Sequence, residues 1–306
     1  MYFVDRCVVC DSGTLARWPA VTSPFVAEIA QWPAPVRCCL AECATCGHRF
    51  FDLRLDDAEM GKLYGRYRGD DYFATRHRWE PWYTRAVNDG IGHDPAEIAL
   101  RRGYVLDFLR KHLPPKVFSG AVLDYGGDKG QFIPPELGAE KYVYEVSDQP
   151  PAEGVARLTD KESLQRGFDL VMLCHVLEHM SEPYKFLREL NVRAGWMYAE
   201  VPLERPRLLK LHADGASRGA PAAWIPRARP LWLGLDFYST IFRVKLGLLP
   251  PLAPIKLHEH LNFFSRASLR KLFERAGFSV EACEEGAVAG ASGISGVVKL
   301  LARSSA

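Results

Sequence analysis

The chain has 306 residues, 39 Lys plus Arg against 37 Asp plus Glu for a formal charge of +2, and 48% hydrophobic residues. Disorder of the low-complexity kind needs fewer apolar residues and a larger charge imbalance, so a folded chain is expected, with one large core and a smaller satellite module. No run reaches the ~18 apolar residues of a membrane span, and Asp5, Arg6 and Asp11 break the start where an export signal would need an apolar block.

A cytoplasmic location is therefore expected. The eight cysteines then read as metal thiolates or buried thiols rather than disulfides.

Residues 1–55 read as a short β-rich module. Cys7-Val-Val-Cys10 and Cys43-Ala-Thr-Cys46 form two knuckles, the second followed by Gly47 and the pair Phe50 and Phe51. Paired C-x-x-C spacing supplies the four thiolates of a tetrahedral zinc site with no open position, so a structural ion is expected on Cys7, Cys10, Cys43 and Cys46. Such an ion supplies folding energy that a small module lacks. Cys38 and Cys39 are adjacent on a predicted strand and point to opposite faces, so at most one could replace a ligand.

Residues 56–112 read as a helical connector. Asp56-Asp57-Ala58-Glu59 opens an amphipathic run into Leu63 and Tyr64, and Ile98, Leu100, Val105, Leu106 and Leu109 recur at helical spacing. Tyr64, Tyr67, Tyr72, Trp79, Trp82 and Tyr83 interleave with Arg66, Arg68, Arg76 and Arg78. That mixture suits stacking and phosphate contacts to a sugar nucleotide or a nucleic acid, and equally suits a helix that packs its aromatics and keeps its arginines wet. Tyr72 is the acceptor-site candidate among them.

From 113 to 306 the period changes to short apolar runs broken by turns: Ala121–Leu123, Tyr142–Tyr144, Phe168–Leu173 and Trp196–Val201. Helices with readable starts lie between the later ones. Ser181 precedes Pro183, and Ser265 caps a run stopped by Gly277. Alternation of strands buried on both faces with helices implies an α/β fold with a doubly wound, mostly parallel, Rossmann-like sheet. Phe278–Ala282 and Val297–Leu301 lack a strong helix between them and are expected to close the sheet as an antiparallel pair. Residues 204–256 interrupt this core with nine basic and three acidic side chains, a local charge of +6 that leaves the rest at −4, and with seven of the 21 prolines. The near-neutral total argues against nucleic-acid binding by the whole surface. The insertion reads as a lid, a dimer contact or a peripheral membrane contact.

Two stretches carry the chemistry. In Leu123-Asp124-Tyr125-Gly126-Gly127-Asp128-Lys129-Gly130 a strand runs into glycines, a sharp turn at the carboxyl edge of the sheet, where open α/β sheets bind ligands. The spacing is not the G-x-G-x-x-G of dinucleotide binders. Glu145 ends the next strand and can accept both hydroxyls of a ribose, so turn and acid together point to an adenosine. His175-Val-Leu-Glu-His179 spells a zinc-peptidase signature, but that chemistry needs a long helix, and here the motif directly follows a buried strand.

The ordered set Leu123-Asp-Tyr-Gly-Gly127, Glu145-Val-Ser147, Phe168-Asp-Leu-Val171 with His175-Val-Leu-Glu-His179, Tyr198-Ala-Glu-Val-Pro202 and His258-Glu-His-Leu-Asn-Phe-Phe-Ser265 resembles class I S-adenosylmethionine-dependent methyltransferases over most of the chain. More narrowly it is similar to the subgroup with an N-terminal zinc module, which includes C-methyltransferases of deoxysugar biosynthesis and enzymes of surface-polysaccharide clusters. The resemblance implies that Asp124, Gly126, Gly127, Gly130, Cys174 and His175 shape the cofactor site, that Glu145 holds the ribose and that Asp160 contacts adenine. It implies that His179, Glu259 and His260 line the acceptor site. Asp128 stands in place of the middle glycine of the usual loop, and Leu257 where the sugar enzymes often carry tyrosine. Read by itself, Cys174 is a buried thiol, like Cys283.

A sulfonium methyl is already electrophilic, so alignment and a base carry most of the effect. His260 or His179 suits the base, with Glu259 as orienter or second base. The same histidines also suit capping and backbone bonding. The expected acceptor is a small molecule or glycan, a nucleotide-linked or lipid-linked sugar before others, methylated at carbon or oxygen; a homodimer is compatible. Two other readings stay open: a zinc-ribbon binding module with a degenerate cofactor fold, which Asp128 would favour, and an RNA methyltransferase.

Overall fold

A computed structural model of the chain describes residues 1–90, 92–147, 150–159, 166–191, 193–204, 228–242, 248, 255–290 and 293–305. Asp160 and most of the 204–256 insertion lie outside the described residues. In chain order the elements are β1 (Tyr2–Phe3), β2 (Leu15–Thr22), α1 (Pro24–Ile29), β3 (Arg37–Cys43), β4 (Arg49–Phe51), β5 (Leu53–Arg54), α2 (Asp57–Tyr64), α3 (Asp70–Trp79), α4 (Arg85–Gly90) and α5 (Pro95–His112). There follow β6 (Ala121–Tyr125), β7 (Glu140–Tyr144), β8 (Ala156–Leu158), β9 (Phe168–Cys174), α6 (Pro183–Asn191), β10 (Ala194–Pro202), α7 (Arg229–Thr240), β11 (Ile255–Leu257), β12 (Asn262–Phe263), α8 (Arg266–Arg275), β13 (Phe278–Gly290) and β14 (Gly293–Ser304).

The helix starts follow local chemistry. At α2 the Asp56 carboxylate accepts the Glu59 amide and the Glu59 carboxylate accepts the Asp56 amide, each at 3.0 Å, which satisfies two donors that a helix start leaves open. Asp94 caps α5 ahead of Pro95, and Ser265 caps α8 through the Ser268 amide at 3.0 Å. Gly277, at φ +91°, ends α8 where a side chain would be strained.

The chain divides into two compact units. One comprises Met1–Cys7, Asp11–Asp89 and Glu204–Phe263, so stretches read from the sequence as module, connector and insertion all contribute to it. Its five-stranded sheet has the order β11-β2-β3-β4-β12. Residues 258–261 alone join the two edge strands. In a flat sheet four spacings of ~4.8 Å would part those edges by about 19 Å, whereas the linking chain reaches only about 17 Å. The sheet is therefore curled, and the His258–Leu261 loop bridges its edges.

The other unit comprises Val8–Cys10, Gly90–Leu203 and Phe264–Ala306. Its seven strands lie in the order β13-β14-β10-β9-β6-β7-β8, with β10, β9, β6, β7 and β8 parallel and β14 antiparallel to both β10 and β13. This is the expected mostly parallel, Rossmann-like sheet of the class I methyltransferase type, with the expected antiparallel closure. Val105, Phe108 and Leu109 of α5 pack on Val122, Leu170, Met172 and Tyr198 of the sheet to form its core. Each parallel strand thus ends at one edge, and that edge carries the residues of interest.

Candidate functional site

Strand β6 delivers Asp124 to the carboxyl edge of the seven-stranded sheet. The side chain is fully buried, and neither carboxylate oxygen has a hydrogen-bond partner among the described residues. Burial pushes its pKa up to about 7, because the charged form has lost water and the Arg101 cation offsets only part of that loss. The following turn lies directly on it: a Cβ at Gly127 would stand 2.1 Å from the Asp124 carboxyl carbon. Asp128 takes φ +56° and Gly130 φ +71°. Aspartate tolerates that left-handed backbone, so the departure from glycine leaves the turn intact.

Glu145 follows β7 and is tied to the same turn. One oxygen accepts the Asp128 amide at 3.1 Å, and the other accepts Val146 and Ser147 amides at 2.7 and 3.1 Å. A carboxylate oxygen has two lone pairs, so the oxygen that accepts only the Asp128 amide retains capacity for a hydroxyl. Asp124, Gly126, Gly127, Gly130 and Glu145 are thus brought to one edge. The set suits a donor with a ribose and an ammonium: Glu145 offers an acceptor oxygen, and Asp124 is a buried carboxylate whose charge Arg101 offsets only in part.

Strand β9 ends at the same edge in Cys174, and His175 follows it. Burial pushes the Cys174 thiol well above its ordinary pKa. His175 has φ +58° and lies in a turn rather than a helix, so the peptidase geometry is absent here. Its ring sits between two carboxylates, Nδ1 to Glu178 at 3.2 Å and Nε2 to Glu200 at 3.1 Å. Glu200 also accepts from Arg101 at 2.9 Å and from the Tyr198 hydroxyl at 2.9 Å. Burial alone would lower the His175 pKa, but the bonds to Glu178 and Glu200 bring it up to about 9. Burial would likewise raise Glu200, yet His175, Arg101 and Tyr198 hold it at about 2.

Arg101, Glu178 and Glu200 were not singled out from the sequence. Glu178 and Glu200 stand inside quoted motifs, but nothing in the local pattern couples Glu200 to a residue 99 positions earlier.

In the first unit, the loop after β11 carries His258, Glu259 and His260. Glu259 is buried and accepts from the Tyr72 hydroxyl, from Arg76 at 3.4 Å and from His258 Nδ1 at 3.4 Å. Burial alone would raise its pKa, but Arg76, then His258 and Tyr72, hold it far below the carboxylate range. Glu80 is held between Arg76 at 3.0 Å, Lys256 at 2.9 Å and His258 at 2.9 Å. Lys256 also pairs with Asp236. Positive and negative groups alternate, so burial leaves few charges uncompensated.

His260 is brought to another carboxylate, Glu204, whose oxygen is 2.6 Å from Nδ1. His179, in the second unit, is half-buried in the turn after β9.

The sulfurs of Cys7, Cys10, Cys43 and Cys46 lie within 4.8 Å of one another, and those of Cys7 and Cys46 are 3.6 Å apart. Four thiolates ~2.3 Å from a tetrahedral zinc would stand about 3.8 Å apart, whereas a disulfide needs ~2.05 Å. The donor set and spacing fit a zinc ion. Cys38 and Cys39 stand outside that group. Burial raises both of their pKa values, that of Cys39 to about 11, so each favours the thiol over the thiolate a metal needs.

A family model described as a methyltransferase domain matches residues 98–282. Comparison with curated proteins gives no match. Among solved structures, the chain is similar to a 1,6-didemethyltoxoflavin-N1-methyltransferase of Burkholderia thailandensis with bound S-adenosylhomocysteine (14% identity, 86% of this chain and 97% of that one, TM-score 0.45). It is also similar to a magnesium protoporphyrin IX methyltransferase of Synechocystis PCC 6803 with bound SAH (20% identity, 76% and 97%, TM-score 0.40). With TM-scores under 0.5, neither likeness bears on substrate or mechanism.

Proposed function

Because the chain belongs to the methyltransferase-domain family, we propose that it transfers a methyl group from S-adenosylmethionine to a small or glycan-type acceptor, a nucleotide-linked or lipid-linked sugar before others. The observation that carries this reading is the buried Asp124 carboxylate beneath the Gly126–Gly130 turn, without a hydrogen-bond partner among the described residues, with Glu145 beside it. Glu145 would accept a ribose hydroxyl on the oxygen that bonds only the Asp128 amide, Asp124 would face the ammonium, and the turn would give close approach to backbone. Asp160 is retained as the adenine contact on resemblance alone. When bound, the donor supplies an electrophilic methyl on sulfonium sulfur; the protein must then position the acceptor and remove its proton.

His260 is the base in this reading. With Nδ1–H donating to Glu204, the neutral ring has its basic lone pair on Nε2, and the carboxylate stabilises the imidazolium that forms. Glu204 takes the orienting role that the sequence assigned to Glu259. Glu259, already ionised and held by Arg76 and His258, is a weak proton acceptor and fixes its loop instead. His179 is retained as a second acceptor-site histidine. Cys7, Cys10, Cys43 and Cys46 would hold a structural zinc.

Calorimetric titration with S-adenosylhomocysteine tests the donor site: saturable binding, weakened at least about tenfold in Glu145→Ala, is expected. Absence of binding would favour a binding module with a degenerate cofactor fold. His260→Ala should then lose turnover on candidate sugars while keeping donor affinity, and full activity in that variant would remove the base assignment.

A further inference from the structure

We propose that the outward face of α7 is a docking surface for anionic lipid, holding the protein peripherally on a membrane. Helix α7 has two apolar faces. Trp232 and Leu235 turn inward and pack with Val21 and Trp79 of the same unit. Leu231 and Phe237 turn outward, 49% and 58% exposed, and Trp82, 42% exposed, lies against Phe237 with ring centroids 6.0 Å apart. Between Pro230 and Phe242 the one charged residue is Asp236, which is buried and paired with Lys256. A helix facing water ordinarily carries its charges on that side. This one presents leucine and phenylalanine there, beside an exposed tryptophan, which marks an interaction face.

Charge identifies the occupant. Arg227 and Arg229 precede the apolar stretch in sequence, Arg243 and Lys245 follow it, and residues 204–256 carry +6 overall. An apolar helix bracketed in sequence by cations, with Trp82 against its Phe237 and Tyr238 on the helix itself, suits the boundary between headgroups and acyl chains of an anionic bilayer. A second copy fits less well, because it carries the same +6 segment and like charges repel. The three outward side chains, half exposed, also supply only about 300 Å², against ~800 Å² per partner in a stable dimer. At 12 residues α7 is about 18 Å long, too short to cross ~30 Å of hydrocarbon, so it lies on the surface.

The surface is independent of the acceptor, so its test needs neither donor nor substrate. The full chain is sedimented with vesicles of phosphatidylcholine alone and of phosphatidylcholine mixed with phosphatidylglycerol, at low and high salt. Binding to the mixed vesicles only, weakened by salt, is expected. Leu231→Glu with Phe237→Glu should reduce that partition at least about tenfold while leaving the thermal midpoint in place, since both side chains are exposed. Should the double variant misfold, Phe237→Gln alone should still weaken binding. Wild-type protein that stays in the supernatant, or variants that sediment like wild type, would overturn the proposal. So would light scattering that shows a dimer split by the same substitutions.

Discussion

Replacing Asp124 with asparagine should stabilise the unliganded protein and weaken its grip on the donor. A carboxyl raised from 3.8 to about 7 costs the folded, ionised state about 4 kcal/mol above pH 7, at ~1.4 kcal/mol per pH unit. The folded state binds the proton more tightly than the unfolded state, so wild-type stability should fall as pH rises from about 4 to about 7 and then level off. Asparagine resembles the protonated acid in shape and charge. The variant should therefore match wild type near pH 4 and exceed it by about 4 kcal/mol near pH 8, read from guanidinium unfolding without ligand. A bound ammonium compensates the same charge, so wild type should release protons on donor binding near pH 7, visible as a buffer-dependent enthalpy, and the variant should not. Equal midpoints at pH 8, or an unchanged pH slope in the variant, would refute the reading of Asp124 as a buried charge that Arg101 offsets only in part.

Glu200→Gln removes the carboxylate shared by His175, Arg101 and Tyr198, leaves the partly buried Arg101 and His175 facing a neutral amide, and should cost about 3 kcal/mol; a loss under 1 kcal/mol would show that the network contributes little. The raised His175 pKa gives stability that is fully present below pH 6.5 and lost as pH rises through about 9, and that loss should be reduced in the same variant. Metal analysis should return about one zinc per chain, and Cys43→Ser or prolonged chelation should melt the first unit before the second, followed by circular dichroism; a fully folded, metal-free protein would contradict the four-thiolate site.

The turn and acid of the edge proposed to hold the donor were legible because their signals are local. A strand, a glycine turn and an acid at the next strand end are each a few residues long, and the caps at Asp56 and Ser265 obey the same short-range chemistry. Asp128 was a doubtful loop residue from sequence, and its left-handed φ shows how aspartate serves there. What escaped were pairings across long separations. Arg101 reads as one more exposed helical cation until β10 brings Glu200 to it, and Glu204 gains meaning only when His260 meets it. Strands β11 and β12 are three and two residues long, below any periodicity, and their partners lie more than 200 residues earlier.

That last pairing constrains how the N-terminal half can be handled. Strand β2 is flanked by β11 and strand β4 by β12, so a fragment ending before residue 255 would bare a row of amides and carbonyls on both β2 and β4, templates on which chains stick together. Late-arriving residues must also cross a long stretch of chain before the sheet is sealed, which slows folding. The metal knuckles and the His258–Leu261 loop are therefore inherited as one piece, and any minimal version of this module would have to be stitched from both ends of its sequence.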